Sequence, residues 1–412
     1  MTTNKINGPR LWDSLMAMAK IGTTPKGGVC RLALTDLDKE ARDLFVSWCV
    51  EQGCTIKIDK MGNIFARRAG LDNSLPAVVT GSHLDTQPTG GNFDGIFGVL
   101  AGLEVIRSLN EQNIQTLHPI EASVWTNEEG SRFPPAMVSS GVFAGEFSLE
   151  YGLSRADLDG LTMGQELKRI GYAGEEEVGG RALKAFFEAH IEQGPILEDE
   201  DITIGVVTGA QGIRWYEVKL TGMESHAGPT PMYSRKDALV GAAKIIDLVN
   251  QIGLENQPNA CSTVGLLNVF PNSRNVIPGE VFFTIDLRHP HDDVLEKMDE
   301  KLRTVTKQIV KDLGLTMAFE QIWYSPAVHF DQSCVESVRN AAEKSGYSHR
   351  DIISGAGHDS NYLSRVAPTS MIFVPCKDGI SHNEAESAKP EDLAAGCEIL
   401  FQAILAQAVE QP

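Results

Sequence analysis

The sequence lacks the cysteine pattern of a disulfide-bonded or thiolate-metal protein. Its 412 residues include seven cysteines, an odd number, scattered along the chain without any CxxC pair. Disulfide-rich domains and structural zinc sites usually show paired or regularly spaced cysteines. We therefore expect reduced thiols with mostly structural roles.

Long apolar runs and an excess of positive charge are also missing. No run of about 18 apolar residues occurs, and the first residues lack the apolar core of a signal peptide. We therefore expect a cytoplasmic protein that does not associate with membranes. The formal net charge of −19 disfavours nucleic acid as a partner, because nucleic acid is bound chiefly through Lys and Arg. A small molecule is the expected partner.

What the sequence does contain is a series of short apolar runs separated by helical patterns. Runs at 76–80, 120–125 and 185–189 each end in polar residues, and apolar residues recur three or four apart over 96–106. Buried strands that alternate with helices predict an α/β sheet. Ligands of such sheets collect at the carboxyl ends of the strands, where these polar residues lie.

A second pattern interrupts the first between about residues 213 and 325. It is typical of strand, helix, strand, strand, helix and strand in that order, which is a split βαβ module of the α+β class. The α/β texture returns after it, with a strand at 371–374 and a final helix at 391–408. We predict a catalytic domain of residues 1–212 and 326–412, with an inserted βαββαβ domain of residues 213–325.

The polar residues at the predicted strand ends have the chemistry of metal ligands. They are His83, Asp85, Asp94, Glu128, Glu129, His190 and His382. Each alone has an ordinary structural explanation, since a lone His is usually hydrogen-bonded and an acidic residue beside glycine usually forms a turn. Their recurrence at strand ends favours a metal hydrolase. Oxygen and imidazole ligands suit zinc, manganese, cobalt or nickel, and a carboxylate can bridge two such ions.

Motifs along nearly the whole chain extend this pattern to a family resemblance. They are GSHLD at 81–85, GGNFDG at 90–95, NEEGSRF at 127–133, HIEQG at 190–194, HAGPTP at 226–231, NVIP at 275–278, SGAGHD at 354–359 and GISHN at 379–383. Together they resemble the M20-type hydantoinase/carbamoylase amidohydrolases. Within that family, the segments at 81–88, 194–200, 286–290 and 368–373 are similar to β-alanine synthases.

The resemblance implies a centre of two divalent metal ions. His83, Asp94 and His190 would hold one ion, and Asp94, Glu129 and His382 the other, so that Asp94 bridges them. Zinc is the expected metal, with manganese, cobalt and nickel as alternatives.

The resemblance also implies catalytic and substrate-binding roles. Glu128 would be the general base and Asp85 the group that orients His83, while His226 would stabilise the oxyanion. The implied substrate contacts are Gln193, Asn275, Arg288 and Gly357 of the turn at 355–357. Arg288 would form a bidentate pair with the substrate carboxylate.

The activity that follows from the resemblance is hydrolysis of an N-carbamoyl amino acid to the amino acid, ammonia and carbon dioxide. N-carbamoyl-β-alanine is the first substrate expected, and N-carbamoyl-L-α-amino acids are the next. Allantoate ranks lower because the stretch at 209–214 lacks the Gly-Gln-Arg run of that branch. An M20-type peptidase or acylase and a non-catalytic binding protein are the remaining alternatives. The inserted domain is expected to act as a lid and to form a homodimer, with His226 serving its own or the neighbouring subunit.

Overall fold

Helices and strands cover most of residues 5–409, the part of the chain that the computed structural model describes. The helices are α1 (Gly8–Met18), α2 (Asp36–Glu51), α3 (Ile96–Glu111), α4 (Val138–Phe143), α5 (Leu149–Leu153), α6 (Met163–Ile170), α7 (Ile196–Asp199), α8 (Ala238–Glu255), α9 (Asp292–Asp312), α10 (Gln332–Ser345), α11 (Asp359–Leu363) and α12 (Pro390–Ala408). The strands are β1 (Thr55–Ile58), β2 (Ile64–Arg68), β3 (Ala77–His83), β4 (Ile120–Trp125), β5 (Leu183–Ile191), β6 (Ile204–Ala210), β7 (Gly212–Thr221), β8 (Ser225–His226), β9 (Cys261–Thr263), β10 (Leu267–Phe270), β11 (Val276–Ile277), β12 (Glu280–His289), β13 (Thr316–Ser325), β14 (Val328–His329), β15 (His349–Ser354) and β16 (Thr369–Val374). These elements form two units, one from the described residues up to Gly209 and from His329 onward, the other from Ala210–Val328.

The first unit contains the predicted α/β arrangement. Its sheet has the strand order β1-β2-β4-β3-β5-β16-β6-β14, with β15 paired to β6. Strands β4, β3, β5 and β16 run parallel, whereas β1, β2 and β6 pair antiparallel with their neighbours. Every residue of β3, β4 and β16 is buried, as expected for parallel strands covered on both faces. The carboxyl ends of the four parallel strands therefore share one edge.

Helix α3, which the apolar pattern at 96–106 predicts, is buried along most of its length. Fourteen of its residues, from Ile96 to Leu109, are buried against the sheet and the neighbouring helices. Close packing on the sheet requires small residues: a Cβ added at Gly98 would lie 2.5 Å from the carbonyl oxygen of Ala189 in β5. The helix thus fixes the segment just before it, which carries Asp94.

The second unit is a five-stranded antiparallel sheet with α8 and α9. The strand order is β10-β12-β7-β13, with β9 also paired to β12. Buried and partly exposed residues alternate along β12, which is the pattern of a sheet with one face covered. The sequence pattern indicates one strand near 264–269, but the structure has two, β9 and β10. Residues 264–266, which include Gly265, lie outside any strand and separate two short pairings with different parts of β12.

No helix among the described residues has the length and apolar character needed to cross a membrane.

The buried face of β12 should carry much of the stability of the second unit. Phe283 is fully buried in the cluster formed with α8 and α9, whereas Phe270 on β10 is 60% exposed. Phe283→Ala should lower the free energy of unfolding by about 3–5 kcal/mol, since it removes a buried ring and leaves a cavity. Phe270→Ala, the matched control, should change it by less than about 1 kcal/mol. Urea titrations of both variants measure the difference, and equal effects would contradict this packing.

Candidate metal centre

Three parallel strands bring their polar ends to one place. His83 is the last residue of β3, His190 lies one residue before the end of β5, and Glu128 and Glu129 follow β4. Asp94 lies in the loop before α3, and all of these side chains are buried. The edge of the sheet thus collects carboxylates and imidazoles, as the sequence predicts.

Asp94 is placed between two sets of ligands. Its Oδ1 lies 3.7 Å from Nε2 of His83 and 3.2 Å from Nε2 of His190. Its Oδ2 lies 3.4 Å from Nε2 of His382, whose Nε2 is also 3.3 Å from Oε2 of Glu129. Each set offers three ligand atoms that lie close enough together to hold one ion. The donor set, nitrogen and oxygen without sulfur, suits a divalent metal such as zinc or manganese.

Two of the imidazoles are fixed with Nε2 facing the centre. Nδ1 of His83 donates to the carbonyl oxygen of Asp85 at 2.8 Å, and Nδ1 of His190 donates to that of Ile191 at 2.9 Å. A metal ligand needs this arrangement, because the protonated ring nitrogen cannot bind the ion. Gly95 supports it sterically, since a Cβ there would lie 2.3–2.4 Å from three atoms of the His83 ring.

Asp85 acts differently from the sequence expectation, which assigned its side chain to His83. The main-chain carbonyl makes that contact, and the carboxylate instead accepts hydrogen bonds from the N–H groups of Glu128 and Glu129, at 3.2 and 3.3 Å. The physical reason is local: Asp85 lies two residues beyond the end of β3, and its buried carboxylate is within reach of the main chain that follows β4. Asp85 thus orients the backbone of the Glu128–Glu129 pair.

Glu128 and Glu129 face different neighbours. Asn127, just before them, has a left-handed backbone (φ +59°) and donates from Nδ2 to the carbonyl oxygen of Phe133 at 2.8 Å. Oε2 of Glu128 lies 3.5 Å from Nε2 of His83, while Glu129 faces His382. Burial raises the pKa of Glu128 well above its ordinary value, and the charges of nearby carboxylates raise it further. Bound cations would oppose this shift.

A third set of possible ligands, Glu188, His190 and His358, does not make a further metal site. Glu188 already accepts hydrogen bonds from the hydroxyls of Ser82 and Ser360, both at 2.6 Å. His190 directs Nδ1 to the carbonyl oxygen of Ile191 and Nε2 to Asp94, so both ring nitrogens already have other partners. Glu188 on β5 thus connects β3 and α11 through these two buried hydrogen bonds.

Several residues at the centre were not found from the sequence. Gln87 donates from Nε2 to Oε2 of Glu129 at 2.8 Å, Ser381 donates to Oδ2 of Asp94 at 2.8 Å, and Glu386 accepts from Ser381 at 3.0 Å. Gln87 and Ser381 fall inside quoted motifs, so their positions were visible but their partners were not. Glu386 has no local signal in the sequence.

Gln193 and Gly357, the predicted substrate contacts in the first unit, have different neighbours. Gln193, which has a left-handed backbone (φ +59°), donates from Nε2 to Oδ2 of Asp94 at 2.9 Å. Its Oε1 is buried and has no hydrogen-bond partner within residues 5–409. Gly357 precedes α11, and a Cβ there would lie 2.9 Å from Cε of Met137.

The predicted contacts of the second unit lie on strands of that unit. His226 in β8 pairs with Val276 of β11, next to Asn275. Nδ1 of His226 accepts from the N–H of Gly228 at 3.0 Å, which leaves the proton on Nε2 as a donor. Arg288 on β12 donates from Nε and Nη2 to the carboxylate of Asp286 at 2.8–3.0 Å.

Comparison with known proteins agrees with this geometry. Residues 79–406 match the family described as peptidase family M20/M25/M40. The chain belongs to the M20 family. It is 52% identical over 401 residues to an N-carbamoyl-L-amino-acid amidohydrolase of Rhizobium meliloti, covering 97% of this chain and 96% of that protein. A relative of the same name from Geobacillus stearothermophilus is 36% identical and covers 97% and 98%.

A solved structure shows the same M20 fold over the whole chain. It is an amidase of the hydantoinase/carbamoylase family from Burkholderia multivorans, with 65% identity, a TM-score of 0.94 and coverage of 99% of both chains. The resemblance predicted from the motifs is therefore confirmed. The family and the grouped His, Asp and Glu side chains indicate the use of a divalent metal.

Metal binding should depend on pH through His382. Its hydrogen bond to Glu129 and the charge of Asp94 outweigh partial burial and raise its pKa to about 9. The metal-free protein gains stability from the protonated ring at low pH and loses it as the pH rises through about 9. An ion must displace that proton, so the increase in Tm on adding Mn²⁺ or Zn²⁺ should be larger at pH 8.5 than at pH 6.5. Differential scanning fluorimetry measures this, with His382→Ala as control; an equal increase at both pH values would contradict it.

Proposed function

We propose that this chain hydrolyses the carbamoyl C–N bond of N-carbamoyl amino acids, releasing the amino acid, ammonia and carbon dioxide. The observation that carries the proposal is the position of Asp94, which faces two ligand sets with its two oxygens while the buried Glu128 lies beside the first set. Metal sites that activate water, with a separate carboxylate to move its proton, are one arrangement by which hydrolases attack an unreactive amide.

The substrate class is supported by the names of the relatives. Those from Rhizobium meliloti and Geobacillus stearothermophilus are named for N-carbamoyl-L-amino acids and match nearly the full length of this chain. We therefore rank N-carbamoyl-L-α-amino acids first and N-carbamoyl-β-alanine, the first expectation from the sequence, second. The same names rank allantoate and peptide or N-acyl substrates lower.

We propose two divalent ions per chain, with zinc as the first candidate and manganese, cobalt or nickel as alternatives. When bound, such ions would acidify a water molecule and polarise the carbamoyl oxygen. Glu128 takes the proton of the attacking water and returns it to the leaving nitrogen. Glu128 is buried and its Oε2 lies 3.5 Å from Nε2 of His83, so it is close enough to the first ligand set to exchange a proton there.

We propose that the substrate is bound by Gln193, Asn275, Arg288 and Gly357. Arg288 suits the substrate carboxylate because its guanidinium can form two parallel hydrogen bonds. Its ion pair with Asp286 supports this role, since it holds the side chain in one orientation on β12. The carboxylate of the substrate would add to this pair.

His226 is proposed as the donor to the oxyanion, because its Nδ1 accepts from Gly228 and its Nε2 carries the proton. We further propose a homodimer formed through the second unit, in which His226 serves the neighbouring subunit. Mixing inactive His226→Ala and Glu128→Gln proteins tests this, because the mixed dimer would contain one site with both residues intact. No recovered activity after demonstrated subunit exchange would assign His226 to its own subunit or remove it from catalysis.

The activity itself is tested by ammonia release from a panel of substrates. Metal-free protein is reloaded separately with Zn²⁺, Mn²⁺, Co²⁺ or Ni²⁺ and given N-carbamoyl-L-methionine, N-carbamoyl-β-alanine or allantoate. N-acetyl-L-methionine, assayed for release of the free amino acid, tests the acylase alternative. We expect the highest kcat/KM for N-carbamoyl-L-methionine. Turnover of the N-acetyl compound alone would favour an acylase, and metal binding without any turnover would favour a binding protein.

The adjacent Glu128 and Glu129 should respond differently to the same substitution. Glu128→Gln should keep both ions and lose about 10²-fold or more in kcat, the usual contribution of a general base. Glu129→Gln should instead lose metal, because its Oε2 lies in the ligand set of His382. Metal content measured by plasma mass spectrometry and kcat separate the two roles. Two variants with full metal content and normal turnover would refute the assignment.

Arg288 should matter for kcat/KM more than another paired arginine of the same unit. Arg288→Ala should cost about 1.5–3 kcal/mol in kcat/KM, the range for hydrogen bonds to charged groups, and Arg288→Lys should recover part of it. Arg303, which pairs with Asp299, offers the matched control, and Arg303→Ala should leave kcat/KM nearly unchanged. An Arg288→Ala enzyme with unchanged kcat/KM would exclude Arg288 from the site.

A further inference from the structure

Glu386 is a buried carboxylate beside the metal centre with no role in the proposed reaction. It is 4% exposed and lies four residues after His382, in the segment that precedes α12. Both of its oxygens already accept hydrogen bonds from within the first unit. It is not one of the grouped side chains that could hold an ion, and its contacts must explain why a charged group is buried here.

One oxygen of Glu386 holds the loop that carries Asp94. Oε1 accepts from the N–H groups of Phe93 at 2.9 Å and of Asp94 itself at 3.1 Å. The loop comes so close that a Cβ added at Gly91 would lie 2.1 Å from both Cδ and Oε1 of Glu386. Gly91 leaves the space that this carboxylate fills, so the contact depends on both residues.

The other oxygen of Glu386 reaches the carboxylate of Asp94 through Ser381. The hydroxyl of Ser381 lies 3.0 Å from Oε2 of Glu386 and 2.8 Å from Oδ2 of Asp94. A hydroxyl has one proton, so it donates to one of these carboxylates at a time. Nε2 of Gln193 donates to the same Ser381 oxygen at 3.2 Å and to Oδ2 of Asp94. Oδ2 is the oxygen that faces His382.

We propose that Glu386 is a positioning residue for the second metal site, formed by Asp94, Glu129 and His382. It fixes the backbone of Asp94 directly and the orientation of its carboxylate through Ser381. It also holds the segment 381–386, which contains His382, against the loop 90–95. The Ser381 hydroxyl can direct its proton to Glu386 instead of Asp94, which would release one hydrogen bond from Oδ2 of Asp94 for metal binding without leaving a buried hydroxyl unpaired.

The two metal sites differ in how much they depend on this residue. His83 and His190 are buried and held by backbone carbonyls of their own strands, so the first site has support that does not involve Glu386. The side chain of His382 is 50% exposed, and the residue has a left-handed backbone conformation (φ +52°). The second site therefore depends on contacts that hold the loop containing His382 in place. A group that orients metal ligands typically accounts for about 10- to 100-fold in metal affinity.

The test is a titration of metal-free protein with Zn²⁺ against a competing chelator, which measures the affinity of each step without any substrate. Glu386→Ala should bind the first ion with wild-type affinity and the second about 10- to 100-fold more weakly. Gly91→Ala should have the same effect, because the new Cβ displaces the carboxylate. The double variant should be no weaker than Glu386→Ala alone, since truncation of Glu386 removes the clash.

Two further variants make the comparison specific. Glu386→Gln keeps an oxygen for the two N–H groups but cannot accept from Ser381, so the second ion should bind up to about tenfold more weakly, the size of one hydrogen bond. Glu384→Ala removes a carboxylate two residues away that contacts Thr24 and Lys26, and should bind both ions as wild type does.

The outcomes separate this proposal from the proposed two-metal centre on which it rests. Wild-type protein that bound fewer than two ions would overturn both. Normal binding by wild type, together with unchanged second-ion affinity in Glu386→Ala and Gly91→Ala, would overturn the role of Glu386 alone. An equal loss at both steps would also overturn it, because it would mean general loosening of the fold. If Glu386→Ala fails to fold, Glu386→Gln and Gly91→Ala decide by the same criteria.

Discussion

The carboxylate of Asp94 has to face two sets of ligands at once, and the surrounding structure is arranged around that requirement. One oxygen points to His83 and His190 and the other to His382. His83 and His190 lie at the ends of parallel strands, which share one edge of the sheet, whereas Asp94 and His382 lie in loops. The hydrogen bonds of a sheet position the ends of its strands. A loop lacks this support, so the carboxylate of Asp94 is held by hydrogen bonds from Gln193 and Ser381, and Ser381 in turn contacts Glu386.

The concentration of negative charge is the second consequence of this arrangement. Burial raises the pKa of Asp85 and Glu386 to about 6 and about 7, and neighbouring carboxylates raise that of Glu128 as well. Carboxylates packed this closely repel one another unless cations or N–H donors compensate for their charge. Backbone N–H groups compensate for the charge of Asp85 and Glu386, whereas bound ions would compensate for the charge of Glu128.

The sequence predicted the elements whose signals are local, together with the side chains that gather at the edge of the sheet. Apolar runs predicted β3, β4, β5 and β16, and the residues at their ends include the proposed ligands His83 and His190. Contacts that depend on tertiary geometry were not predictable in this way. His83 contacts the Asp85 carbonyl rather than its carboxylate, a choice that the two-residue spacing alone does not decide. Glu386 is 292 residues from Asp94, whose N–H it accepts, and no spacing rule connects such distant positions.

The order of strands in the sheet also has a consequence for biosynthesis. Strand β16 pairs with β5 on one side and with β6 on the other, although about 160 residues separate it from β6 along the chain. A ribosome therefore completes β5 and β6 well before their common neighbour exists, and their inner edges must remain unpaired or covered until residues 369–374 emerge. His382 follows that strand by only a few residues. The nascent chain thus gains the last strand of this sheet and the last proposed metal ligand in the same short interval, so the proposed second metal site cannot form before these residues are made.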